Sequence, residues 1–148
     1  MSPDFNPQFS KLGEILVYNG KATEGGVNEA LAQQKTTNDK IGVTLIEMGM
    51  IEEDDFATAY SQQLGYRKAD NFILLEADST VAALIPEDFA RENNVLTLKK
   101  TSTSIFVAME DPEDVAILDS IKKLTKLNPE ILVAGKTTIK NAINQLYE

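Results

Sequence analysis

Residues 131–140 read ILVAGKTTIK. An apolar strand running into Gly-Lys-Thr ahead of a helix is half of a phosphate-binding loop. The full pattern needs a second glycine five residues before Gly135, in the turn whose backbone N–H groups cradle a phosphate. That position holds Glu130. No acidic partner motif after a second long strand completes a nucleotide triphosphatase either. These residues therefore read as structural, with Gly135 turning the chain and Thr137 capping the last helix.

The acidic runs receive the same reading. Glu52, Glu53, Asp54 and Asp55 are consecutive, and consecutive residues on a helix point in different directions, so they do not converge on one ion. Glu110, Asp111, Glu113 and Asp114 bracket a helix start and lack the spacing of a calcium loop. Both groups read as carboxylates at the positive ends of helices. With no His and no Cys in 148 residues, a Ser-His-Asp arrangement, a thiolate nucleophile and an ordinary zinc site are all excluded, and no metal site or catalytic residue is assigned. The net charge of −9, from 14 basic and 23 acidic residues, argues against DNA or RNA as partner, because no large basic surface is available to neutralise a phosphate backbone.

A repeated lysine start carries more. Residues 11–34, KLGEILVYNGKATEGGVNEALAQQ, align without gaps on residues 40–63, KIGVTLIEMGMIEEDDFATAYSQQ. The offset is 29 residues, and Lys11/Lys40, Gly13/Gly42, Leu16/Leu45, Gly20/Gly49, Glu24/Glu53, Ala30/Ala59, Gln33/Gln62 and Gln34/Gln63 are identical. Two helix starts, each with free backbone N–H groups and a cation beside them, form a paired anion site. Duplication alone is the competing explanation, since both hairpins would pack alike.

Each copy reads as helix, glycine stop, helix. Leu12, Ile15, Leu16 and Tyr18 share one face of the first helix, Gly20 supplies a left-handed stop, and Thr23 caps a second helix whose apolar face is Val27, Ala30 and Leu31. Gly49 repeats the stop. From Tyr66 onward the pattern changes. Residues 71–75 read as a short strand, and 79–85 with 86–93 as a helix broken by proline. Residues 95–99 and 105–109 form a hairpin through the polar turn 100–104, and 131–134 form a further strand. Helices are expected from Asp111-Pro112 to about Thr125 and over 137–146. The expected fold is α+β: a four-helix subdomain, residues 1–66, made of two duplicated helical hairpins, then a small α/β sandwich, residues 67–148.

Each 24-residue segment resembles the long motif of the MshEN domain, R-L-G-x-x-apolar-apolar-x-x-G-apolar-apolar-x4-L-x3-L-x2-Q. The segments PEDFARENNV, VAMEDPEDVAILDSI and ILVAGKTTIKNAINQLY of the second half fit the same family. MshEN domains form the N-terminal part of type II secretion and type IV pilus assembly ATPases, and the better-matching members bind cyclic di-GMP. The resemblance implies a non-enzymatic cytoplasmic regulatory domain with no cofactor, binding cyclic di-GMP as a regulatory ligand. Lys11 and Lys40 would meet phosphate or guanine, and Gln34 and Gln63 the guanine edges. Leu12, Leu16, Val27, Leu31, Ile41, Leu45, Phe56 and Tyr60 would pack on the bases, and the amides beside Gly13 and Gly42 would meet polar atoms. Both motif arginines are lysines here, which keep the charge and lose the bidentate fork. The implied partner is a secretion or pilus ATPase domain or platform protein, and no membrane insertion is expected. The alternative is a docking domain of such a system that no longer binds nucleotide. The opening residues Met-Ser-Pro-Asp-Phe-Asn lack the features of a signal peptide. Both an excised N-terminal domain and a free-standing version fit a chain of this length.

Overall fold

The computed structural model describes residues 5–37, 40–69 and 77–147. The chain forms two compact units, Met1–Gly65 and Tyr66–Glu148, and its fold is α+β.

Among the described residues the first unit holds a 3₁₀ turn, Pro7–Phe9, and four helices: α1 Leu12–Tyr18, α2 Glu24–Thr37, α3 Ile41–Glu47 and α4 Glu53–Leu64. Its two hairpins stop in the same way. Gly20 and Gly49 sit at φ +75° and +74°, a conformation that costs glycine nothing. That geometry lets Gly20 N–H reach Val17 O at 3.0 Å and Lys21 N–H reach Leu16 O at 2.9 Å. In the second copy Gly49 N–H reaches Ile46 O at 3.0 Å and Met50 N–H reaches Leu45 O at 3.0 Å. Each pair satisfies carbonyls that a helix end otherwise leaves orphaned. Thr23 caps α2 as its residue type predicts, its Oγ1 accepting from Gly26 N–H at 3.0 Å. Its counterpart Glu52 works by another route, with Asp55 Oδ2 accepting the Glu52 N–H at 3.0 Å.

Repetition continues inside. Leu16 and Leu45, and Ala30 and Ala59, are fully buried in one core with Ile15. The repeated glycines are explained by close packing. A Cβ on Gly13 would stand 2.6 Å from Val27 Cγ1, and one on Gly42 would stand 2.6 Å from a Phe56 ring carbon. Val27 and Phe56 are equivalent positions, so both hairpins close by seating the second helix on a bare glycine of the first.

The second unit carries a four-stranded mixed sheet of order β1-β4-β3-β2, with β1 Arg67–Lys68, β2 Leu96–Lys100, β3 Ser104–Met109 and β4 Asn128–Val133. The β2–β3 hairpin is antiparallel, whereas β4 pairs parallel with β3 and with β1. Among the described residues four helices accompany it: α5 Ser79–Ala82, α6 Glu87–Asn93, α7 Val115–Thr125 and α8 Lys136–Leu146. On the inner strand β3, Ile105, Val107, Ala108 and Met109 are buried and Phe106 is half-buried, as expected of a strand packed against on both faces.

Two local expectations are corrected. The helix expected from Asp111 begins at Val115, because Asp111 Oδ1 instead accepts Glu113 N–H at 3.0 Å in a turn and Asp114 Oδ1 takes the capping role toward Ile117 N–H at 3.3 Å. Thr137 lies inside the first turn of α8, whose N-cap is Gly135 at φ −69°, so glycine here serves neither a left-handed turn nor a side-chain cap. The strand expected over 71–75 lies outside the described residues.

Tyr147 closes this unit. Its hydroxyl donates to Ala82 O at 2.7 Å and also faces Ile85 O at 3.3 Å, joining the end of α8 to the end of α5. Burial raises the phenol pKa above its ordinary value, the Glu87 carboxylate raises it further, and the Arg91 guanidinium partly offsets both. Tyr147→Phe is expected to cost about 1 kcal/mol at neutral pH. A folded-state pKa above the unfolded value means that this stabilisation is present below the unfolded pKa and is lost as pH rises through the folded one. Urea melts of both proteins from neutral to alkaline pH should therefore show the wild-type advantage fading above about pH 10.

Candidate ligand-binding cleft

One side of α1 along its length, the exposed side of α2 and the start of α3 enclose a cleft of about 890 Å³ within the first unit. From the first motif it is lined by Lys11, Leu12, Gly13, Val27, Leu31 and Gln34, and from the second by Ile41. The volume lies in the range of small-molecule sites. Leu31 is 42% exposed, apolar area that the unit does not cover for itself.

The remaining predicted residues take other places. Leu16 and Leu45 are 0% exposed, so the expectation that they lie on a base is corrected: they form the core beneath the hairpins. Gly13 and Gly42, whose neighbouring amides are expected to meet polar atoms of a ligand, are both buried, Gly42 beneath the Phe56 ring, and their immediate role is helix contact. Lys40 occupies the N-cap of α3, as Lys11 does of α1. Phe56 and Tyr60 form an aromatic pair, ring centroids 5.4 Å apart and tilted by 33°. Gln63 donates from Nε2 to Ser10 O at 3.2 Å, tethering the 3₁₀ turn to α4.

Sequence reasoning missed Phe5, Glu14, Val17, Tyr18, Glu24 and Asn28, all of which line the cleft. Val17 and Asn28 follow from helical periodicity once the open face is known. Phe5 precedes the repeat and carries no periodic signal. Glu14 Oε1 accepts the Lys11 N–H at 2.9 Å, so a carboxylate already occupies the start of α1. Among the described residues that line it, the cleft pairs one cation, Lys11, with two carboxylates, Glu14 and Glu24. An anionic ligand gains little from net charge here, and its binding must draw on stacking and directed hydrogen bonds. Among the described residues no group of carboxylates is placed to hold a metal ion, and no helix is long and apolar enough to cross a membrane.

Comparison with known proteins places the fold. The family model of the MshEN domain matches residues 72–148, and the type IV pilus assembly ATPase PilB of Myxococcus xanthus (strain DK1622) is 30% identical over 137 residues. The chain belongs to the MshEN domain family. This MshEN domain is covered to 93% by the PilB alignment and spans about a quarter, 24%, of that protein's length. A structure of MshE with cdg, an abbreviation of cyclic di-GMP, superposes with a TM-score of 0.76 at 26% identity, covering 93% of this chain and 99% of that one. The N-terminal domain of XpsE shares the fold, with a TM-score of 0.66 at 15% identity over 97% of this chain and 98% of that one. The family match falls in the second unit, and the wider likenesses extend into the tandem hairpins of this MshEN domain.

Proposed function

We propose that this domain binds cyclic di-GMP through its tandem helical motifs and, without catalysing a reaction, passes the bound state to a secretion or pilus ATPase domain or platform protein. The observation that carries this reading is the convergence of first-motif residues Lys11, Leu12, Val27, Leu31 and Gln34 with Ile41 of the second motif on one open cleft. The likeness to MshE, solved with cdg, supports it. Lys11 and Lys40 would face phosphate or guanine, Gln34 and Gln63 guanine edges, and Leu12, Val27, Leu31, Ile41, Phe56 and Tyr60 the base faces. Backbone beside Gly13 and Gly42 would approach the ligand closely. The domain would act in the cytoplasm, with no DNA, RNA or inserted lipid as partner.

The second reading is a docking domain that has lost the nucleotide. Glu14 and Glu24 in the cleft, together with lysine at both motif-arginine positions, favour it. Titration calorimetry separates the two. Saturable heat with cyclic di-GMP is the expected result, and no heat at a few hundred micromolar protein and ligand would sink the nucleotide reading. No ATP turnover is expected from the chain in either case.

A further inference from the structure

Spacing assigns Tyr18 to the apolar face of α1, yet its side chain lies at the cleft and is 39% exposed. The Phe5 ring covers part of it, with centroids 3.8 Å apart and 10° between the planes. A parallel ring at that separation is how a nucleobase sits on a protein aromatic. The backbone following Phe5 is anchored. Asn6 Oδ1 accepts Gln8 N–H at 3.0 Å, and Asn6 O accepts both Phe9 N–H at 3.1 Å and Ser10 Oγ at 2.9 Å. Gln63 then ties Ser10 to α4. Phe5 is thus delivered to the cleft by a pinned turn.

Duplication does not account for this pair. The residue equivalent to Tyr18 in the second copy is Glu47, whereas the second copy's own aromatic pair, Phe56 and Tyr60, stands where the first has Val27 and Leu31. Each hairpin therefore contributes to one aromatic pair, Tyr18 with the preceding Phe5 and Phe56 with Tyr60, at non-equivalent positions. A two-fold ligand with two purines would then meet Tyr18 on the first hairpin and the Phe56–Tyr60 pair on the second.

We propose that Tyr18 is the base-stacking residue of the first hairpin, and that in the free domain Phe5 occupies the Tyr18 ring face that a purine of the ligand takes on binding. This inference rests on the cyclic di-GMP reading above. At 3.8 Å the two rings leave no room for a base between them, so the base must replace Phe5 and the Phe5–Tyr18 stack is given up on binding. Removing Phe5 abolishes that cost, whereas removing Tyr18 abolishes the platform.

Titration of cyclic di-GMP into the full chain tests this with Phe5→Ala, Phe5→Leu, Tyr18→Ala and Tyr18→Phe, each checked for folding by thermal melting. Both Phe5 variants are expected to bind roughly threefold to tenfold tighter than wild type. Phe5→Leu keeps apolar packing in case alanine disturbs the unit. Tyr18→Ala is expected to bind about tenfold or more weakly, and Tyr18→Phe nearly as wild type. Unchanged or weaker binding by the Phe5 variants, with wild type binding, overturns the displacement and leaves the cyclic di-GMP reading standing. Full affinity in Tyr18→Ala overturns the platform. Binding by the Phe5 variants but not by wild type supports the inference, and no binding by any of the proteins overturns both readings.

Discussion

Leu45→Ala is expected to remove about 2–5 kcal/mol from the first unit, the range for a fully buried leucine whose site cannot close around the void. Leu45 is 0% exposed and shares its core with its repeat mate Leu16 and with Ile15, Ala30 and Ala59. Two features resist collapse of the site. The Leu45 carbonyl is fixed by the Met50 N–H at the Gly49 stop, and α3 is held against α4 at the Gly42–Phe56 contact. A unit of about 65 residues buries a smaller fraction of its surface than a larger domain does, so its total stability sits near the low end of the usual 5–15 kcal/mol. A loss of this size leaves it partly unfolded near physiological temperature. Circular dichroism melts would show the helical signal of the first unit lost at lower temperature. Leu16→Ala should behave in the same way, because Leu16 is equally buried in that core and its carbonyl is held by the Lys21 N–H at the Gly20 stop. A change below about 1 kcal/mol in both would mean that the seam repacks freely, contrary to the packing described.

The pair Lys11→Arg and Lys40→Arg is expected to tighten cyclic di-GMP binding by about two orders of magnitude. Each good bidentate contact is worth about 1–3 kcal/mol, and a lysine ammonium provides the charge without the fork. Lys11 stands at the cleft as N-cap of α1, and Lys40 holds the matching position at the start of α3. Calorimetry on the single and double variants reads the result directly. Unchanged affinity in all three would place the ligand away from these lysines.

Much of the first unit was legible because its signals are local. A glycine stop demands a left-handed residue, a threonine before an acidic turn marks a cap, and a 29-residue repeat announces that two hairpins share one design. The hairpin of the second unit was legible for the same reason, through two apolar runs and a polar turn. The helix start at Val115 was misjudged because Asp111 and Asp114 are both good caps by type, and the choice between them lies in which amide each carboxylate reaches. Strand β1 was not anticipated, since Arg67 and Lys68 carry no apolar alternation and are strand only through pairing with Leu132 and Val133.

The candidate site divides along the same line. Residue types and spacing alone determined the duplication, the absence of His and Cys chemistry, and the motif residues that resemble a nucleotide-binding family. Tertiary structure alone decided which motif residues face outward. Leu16 and Leu31 are both apolar and both belong to the motif, yet one is sealed in the core and the other lines an open cleft. Helical periodicity identifies an apolar face but not how far a neighbouring helix covers it, and here the bare glycines set how closely the helices meet. Phe5 shows the limit most plainly: its place on Tyr18 depends on a turn pinned by Asn6 and by Gln63, and the latter lies more than fifty residues away in the chain.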